Sequence, residues 1–267
     1  MNAGVEWVEH DRLRFKCKVD GAGGDAPWIV FSNSLLTDLG IWDAQVAALA
    51  DRYRILRYDQ RGHGGTSVPS TPCSFDQLGA DMIALMDHFN IERATLVGLS
   101  MGVTTGLQVY GKHPERIERL VLADGQAATA EGGYATWESR IAEAQRLGMA
   151  GLAEITMTRW FSESFRAGNG AARALAAASA TPLEGFIACA RALQAYDFNA
   201  VLPQINVPTL MMAGANDGQM PNTMRQMCSR IDGAVMHIIP DAGHIPNFEQ
   251  ADRFNSHLME FLQLSPK

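Results

Sequence analysis

The sequence holds only four cysteines, Cys17, Cys73, Cys189 and Cys228, with no C-x-x-C and no neighbouring histidine at ligand spacing. That excludes a zinc ribbon or a thioredoxin-like pair and predicts reduced thiols in or near a core. Positive charge is also scarce. Lys and Arg number 22 against 29 acidic residues, a net charge of −7, and without a basic run the footprint of a nucleic-acid binder is missing. No apolar stretch approaches the roughly 20 residues that span a bilayer. The start, Met1 to Asp11, has neither a basic n-region nor an apolar h-region, so no leader is predicted and cytoplasm is the expected compartment. No cofactor or metal is expected.

What remains is ordinary globular material: 267 residues, 47% hydrophobic and 19% charged, enough for one large domain or one domain carrying an insertion. Leu13, Phe15, Cys17 and Val19 alternate with charged residues, the period of a half-buried strand. Short apolar runs then alternate with helical patterns: Trp28 to Phe31, Tyr53 to Tyr58, Ala94 to Val97, Leu120 to Ala123, Thr209 to Ala213 and Val235 to Ile239. This rhythm predicts an α/β fold, a mostly parallel, doubly wound sheet with helices on both faces. One helix is legible from Phe75 to Phe89, with Ser74 at its N-cap. Between residues 127 and 202 the rhythm stops, and Ala, Arg and Met in helical patterns predict an inserted helical lid. The core is then 1–126 and 203–267.

Gly98-Leu99-Ser100-Met101-Gly102 follows the Ala94 strand and opens a helix. G-x-S-x-G between strand and helix is the setting of a nucleophile elbow, where the serine is held in a strained backbone conformation. A serine hydroxyl needs a base within hydrogen-bond reach. Of seven histidines, His244 is the best placed, past the last strand and before the last helix, on the carboxyl edge where α/β folds bind ligands. A carboxylate must orient that base. Asp217, after the Thr209 strand, gives the chain order Ser, Asp, His of the hydrolases that use this elbow, and Asp124, after the Leu120 strand, is the competing acid.

With those residues in place, the chain resembles the α/β-hydrolase superfamily and, more narrowly, the 3-oxoadipate enol-lactonases. The narrower resemblance rests on Phe31-Ser-Asn-Ser-Leu35 with Trp42, Leu56-Arg-Tyr-Asp-Gln-Arg-Gly-His-Gly64, the elbow, Pro114-Glu-Arg-Ile117, and inside the lid Trp137-Glu-Ser-Arg-Ile141, Gly148-Met149 and Arg159-Trp-Phe161. It runs from Phe31 to Leu262. The elbow and the Arg-Gly-His-Gly loop are superfamily-wide, whereas the Ser-Asn-Ser loop and the lid stretches speak to substrate. The sequence departs from the family's pattern at Val103 and at Gly218-Gln-Met, and Val103 and Met101 are expected to narrow the pocket.

The resemblance implies hydrolysis of a small, anionic enol lactone by acyl transfer, with Ser100 as nucleophile, His244 as base and Asp217 as its support. It implies an oxyanion hole from the Met101 N–H and, counting back from Trp42, the Leu35 N–H, with Asn33 and Ser34 bracing that loop or touching substrate. Arg140 and Arg159 are the favoured lid cations for a substrate carboxylate, and Trp137 and Trp160 are candidates for an apolar wall. A carboxylesterase, another lactonase and a carbon–carbon bond hydrolase of aromatic degradation would share the same three residues. A haloalkane dehalogenase would need a carboxylate where Ser100 stands. A non-catalytic receptor on the same fold is a reading of a different class.

Overall fold

A computed structural model describes residues 4–263. In chain order the strands are β1 (Val5–His10), β2 (Leu13–Gly21), β3 (Trp28–Ser32), β4 (Arg54–Tyr58), β5 (Ala94–Leu99), β6 (Ile117–Ala123), β7 (Thr209–Gly214) and β8 (Val235–Ile239). They form one sheet in the order β1-β2-β4-β3-β5-β6-β7-β8. The β1–β2 and β2–β4 pairings are antiparallel and the rest parallel. Every residue of β3, β5 and β7 is buried, as expected of strands covered on both faces. The sequence reading missed β1, an edge strand whose exposed Val5 and Trp7 carry little core signal.

The helices are α1 (Asp43–Leu49), α2 (Phe75–His88), α3 (Met101–Lys112), α4 (Gly133–Trp160), α5 (Glu163–Ala167), α6 (Ala172–Ala180), α7 (Leu183–Gln194), α8 (Met220–Cys228), α9 (Pro246–Glu249) and α10 (Ala251–Gln263). Alternation along the strands splits the core: Ile29 and Phe31 pack with Leu49 of α1 and Phe254 of α10. Val30 and Leu96 pack on the other side with Met82 of α2, Leu107 of α3 and Met224 of α8. The predicted start of α2 is a capping box, in which Ser74 Oγ accepts the Gln77 N–H and the Gln77 side chain accepts the Ser74 N–H. Two otherwise orphaned donors at the helix end are thereby satisfied. None of the described helices is long and apolar enough to cross a membrane.

The chain leaves the sheet after β6 and returns before β7, and α4 to α7 lie between them. A short antiparallel neck joins the two ends: the Phe198 N–H donates to Ala127 O at 2.7 Å and the Thr129 N–H to Tyr196 O at 3.0 Å. The first helix of this insertion is kinked. Gly148 has φ 70 and ψ 170, a region essentially reserved for glycine, so α4 is two helical segments meeting at one residue.

The order β4-β3-β5 puts the reversal of winding beside β3 and β5, the strands that end at the Ser-Asn-Ser loop and at Ser100. Ligands bind at such a switch point, outside the carboxyl ends of the strands.

Candidate active site

The elbow is built from close backbone approach. A Cβ on Gly98 would stand 2.4 Å from Gly102 O, and one on Gly102 would stand 2.1 Å from Ser32 O; only glycine lets α3 start so close to β5 and β3. Ser100 itself is held at φ 54 and ψ −110, a strained conformation for a residue with a side chain. Its own N–H is tied to Ala123 O at 2.8 Å. The strain is thus anchored from the neighbouring strand, and the hydroxyl projects into the space above the sheet.

His244, in the loop after β8, meets it there. Its Nε2 lies 2.9 Å from Ser100 Oγ and its Nδ1 lies 2.6 Å from Asp217 Oδ2. The His244 and Asp217 side chains are 17% and 18% exposed, reachable by substrate yet largely withdrawn from water. Burial by itself would raise the Asp217 carboxyl, but the charge and hydrogen bond of His244, the charge of Arg159 and a hydrogen bond from Asp124 outweigh it, so the net shift is downward. Asp217 is therefore held as the anion a cationic imidazole needs.

Asp124 sits beside this pair but does not replace Asp217, because His244 Nδ1 is already engaged. The oxygens of Asp124 and Asp217 and the ring nitrogen of His244 fall within 4.8 Å of one another. Both His244 nitrogens face protein partners, which argues against a metal there.

The loop after β3 makes a turn in which the Thr37 N–H donates to Ser34 O at 3.3 Å. Leu36 takes the φ 66 conformation that glycine usually supplies, which is why no glycine marks this turn in the sequence. Asn33 braces the turn: its Nδ2 donates to Tyr58 O, and its Oδ1 accepts from Trp42 Nε1, both at 2.8 Å. With both ends of its amide used and 1% exposure, Asn33 does not line the cavity, so of the two roles expected for it the structure places it in bracing. Ser34 and Leu35 do line the cavity, as does Met101. Among the described residues neither the Leu35 N–H nor the Met101 N–H has a hydrogen-bond acceptor, which leaves two free donors near Ser100.

The cavity holds about 530 Å³, within the range of small-molecule sites. Its floor is Ser100, Asp124, Asp217 and His244, and its roof comes from α4, with Trp137, Arg140, Arg159 and Trp160 all facing it. Trp160 is 4% exposed, and its ring faces that of His244 with centroids 6.2 Å apart and planes at 30°. Sequence reasoning had no signal for that pairing across 84 positions, and it also passed over Glu143, one helical turn beyond Arg140 and on the same wall. Val103 does not narrow the cavity as expected. It packs into the core against Gly125 instead, and only Met101 of the two faces the space.

Among the described residues neither Arg140 nor Arg159 makes an ion pair or hydrogen bond; the Arg140 guanidinium instead lies 4.6 Å over the Trp137 ring. Burial first, then the charge of Arg159, pushes Arg140 down to about 10, and burial likewise lowers Arg159 against the pull of Asp217 and Glu143. Two guanidiniums facing one cavity with no ion pair among the described residues are what an incoming carboxylate would relieve.

Comparison with known proteins agrees with this architecture. Residues 27–251 match the family model of the alpha/beta hydrolase fold. A 3-oxoadipate enol-lactonase of Acinetobacter baylyi is 36% identical over 237 residues, 86% of each chain. The crystal structure of an enol-lactonase from Burkholderia xenovorans superposes with a TM-score of 0.92 at 36% identity, covering 97% of this chain and 100% of that one. A thermophilic esterase from Thermogutta terrifontis, solved with malate bound, superposes at 0.89 with 25% identity over 98% of each chain.

Proposed function

The chain belongs to the α/β-hydrolase-fold family, and from that premise we propose that it is a serine hydrolase of ester bonds that opens a small enol lactone bearing a carboxylate. One observation carries the reading: a hydrogen-bonded Ser100, His244 and Asp217 lie under a roof that presents two guanidiniums with no hydrogen bond or ion pair among the described residues. The likeness to two enol-lactonases over nearly the whole chain supports the lactone.

In this reading Ser100 Oγ attacks the lactone carbonyl while its proton passes to His244 Nε2, and Asp217 stabilises the imidazolium. The oxyanion of the tetrahedral intermediate accepts from the Leu35 and Met101 N–H groups. The ring C–O bond then breaks. The leaving enolate, whose charge is shared between oxygen and carbon, takes the proton held by His244, which returns the imidazole to its neutral form. Water attacks the acyl-enzyme, gives its proton to His244, and releases the acid and free Ser100.

Arg140 and Arg159 hold the substrate carboxylate, and Trp137 and Trp160 wall the ring. The helical insertion, residues 127–202, acts as the lid over the core segments 1–126 and 203–267. A carboxylesterase for short acidic esters is the second reading. It is favoured by the same two arginines and by the likeness to the malate-bound esterase.

The test is a substrate panel with purified protein: an enol lactone with a free carboxylate, the same lactone as its methyl ester, and p-nitrophenyl acetate. The expected result is the highest kcat/KM for the carboxylate lactone. Preference for the acidic open-chain ester of the same acid would move the assignment to the esterase, and saturable binding without turnover of any member would sink catalysis altogether.

A further inference from the structure

The acid that supports His244 is not alone. Asp124 follows β6 at φ 43, is 0% exposed, and has its Oδ1 fixed by the Gly214 N–H at 2.9 Å. Its Oδ2 is buried with no protein donor and lies next to Asp217. A carboxylate in that position would be desolvated, without a cation, and against a second carboxylate. Two such groups cannot both ionise cheaply, so one keeps a proton.

Which one keeps it follows from the neighbours. Asp217 has His244 from the loop after β8 and, from the roof, the charges of Arg159 and Arg140. Asp124 faces Asp217, the backbone N–H of Gly214 and, within 4.8 Å, a ring nitrogen of His244, but His244 is hydrogen-bonded to Asp217 and Ser100, and no Lys or Arg among the described residues pairs with Asp124. Burial first, and then the charge of Asp217, hold its proton well above the usual carboxyl range.

We propose that Asp124 is a positioning residue held as a neutral carboxylic acid, which donates its proton to Asp217, so that His244 is supported by a two-acid unit. This inference rests on the triad reading of Ser100, Asp217 and His244. The donated hydrogen bond spreads the charge of Asp217, makes it a weaker base, and fixes the oxygen that meets His244 Nδ1. A weaker base stabilises the imidazolium less, so the Asp124 contact sets how strongly Asp217 supports the proton that His244 takes from Ser100.

The test combines pH profiles of kcat/KM for p-nitrophenyl acetate with infrared difference spectra. In Asp124→Ala, and in Asp124→Gly, which suits the positive φ, the donor is gone and the acid limb should move up by roughly half a unit to one unit. Asp124→Asn retains a donor amide and tolerates this backbone conformation, so it should restore the limb to its wild-type position. Wild type minus Asp124→Asn should show the carbonyl stretch of a protonated carboxylic acid at neutral pH, a signal independent of turnover.

A downward shift of the limb in Asp124→Asn would mean that Asp124 is ionised and would overturn the proposal, as would absence of the carbonyl band. A loss of about 10⁴ in kcat on Asp124→Asn, with little on Asp217→Asn, would make Asp124 the triad acid itself and overturn it too. Ser100→Ala separates the two levels: full turnover there would remove the triad reading, whatever Asp124 does.

Discussion

The floor and roof of the cavity are built on opposite terms. Two non-glycine residues of the floor, Ser100 and Asp124, and Leu36 at its edge are held at positive φ, a conformation that costs on the order of 1–3 kcal/mol per residue with a side chain. The roof meets the same need at Gly148, where it costs nothing sterically. Polar groups follow the same division. On the floor, His244 uses both ring nitrogens and Asp217 is bonded to it, whereas the two roof guanidiniums make no hydrogen bond or ion pair among the described residues. The floor stands on loops at strand ends, and the roof is a helical surface whose two arginines make no hydrogen bond or ion pair among those residues. In the proposed function, reaction and selectivity then fall to separate parts of the chain, the strand-end loops and the insertion.

Three experiments press on that division. The largest effect belongs to the floor: Ser100→Ala should lower kcat/KM for every ester by at least about 10⁴-fold while the thermal melt stays close to wild type, and retention of most activity would dismantle the elbow assignment. The roof should give a smaller, substrate-dependent effect. Arg140→Gln and Arg159→Gln should each lower kcat/KM for a carboxylate-bearing lactone by roughly 10- to 100-fold, the worth of a charge-assisted hydrogen bond, and should barely alter p-nitrophenyl acetate hydrolysis. Equal losses on both substrates would mean that the arginines belong with the chemistry, and the contrast between floor and roof would fail.

The smallest effect on turnover is a stability measurement within the floor. Asp217, whose carboxyl is lowered on folding, contributes stability that is present above the ordinary carboxyl range of about 4 and is lost as pH falls through its lower folded value. Asp124 is raised and acts oppositely: as pH rises from about 4, the unfolded chain releases a proton that the folded chain keeps, and stability declines. Melting curves from pH 3 to 8 should therefore show Asp124→Asn gaining on wild type as pH rises. A gap that stays constant with pH would contradict the buried proton.

Much of this was legible in the sequence because it depends on period and chain order. Strands β2 to β8 announced themselves by apolar runs, and Ser100, Asp217 and His244 by their places at strand ends, all of them local properties. What escaped depends on contacts between distant segments. Cys73 and Cys189 read as unrelated thiols, yet their sulfurs lie 3.8 Å apart where α7 meets the segment before α2. Asn33 left two roles open because only its partners, Tyr58 and Trp42, decide between them. Val103 lies two positions from Met101, yet one turns into the core and the other into the cavity. Asp124 was visible as a rival to Asp217, and only their proximity in space makes it a companion instead.

Gly148 gives the roof a joint. The segment before it carries Trp137, Arg140 and Glu143; the segment after it carries Thr156, Arg159 and the Trp160 that faces His244. Because the two rods meet at a single non-helical residue, the wall around Arg140 and the wall beside the imidazole stand on separate helical segments. Cavity length and catalytic geometry are separately adjustable in such a molecule, so descendants could come to accept longer or shorter acids by tilting one rod while inheriting the other unchanged.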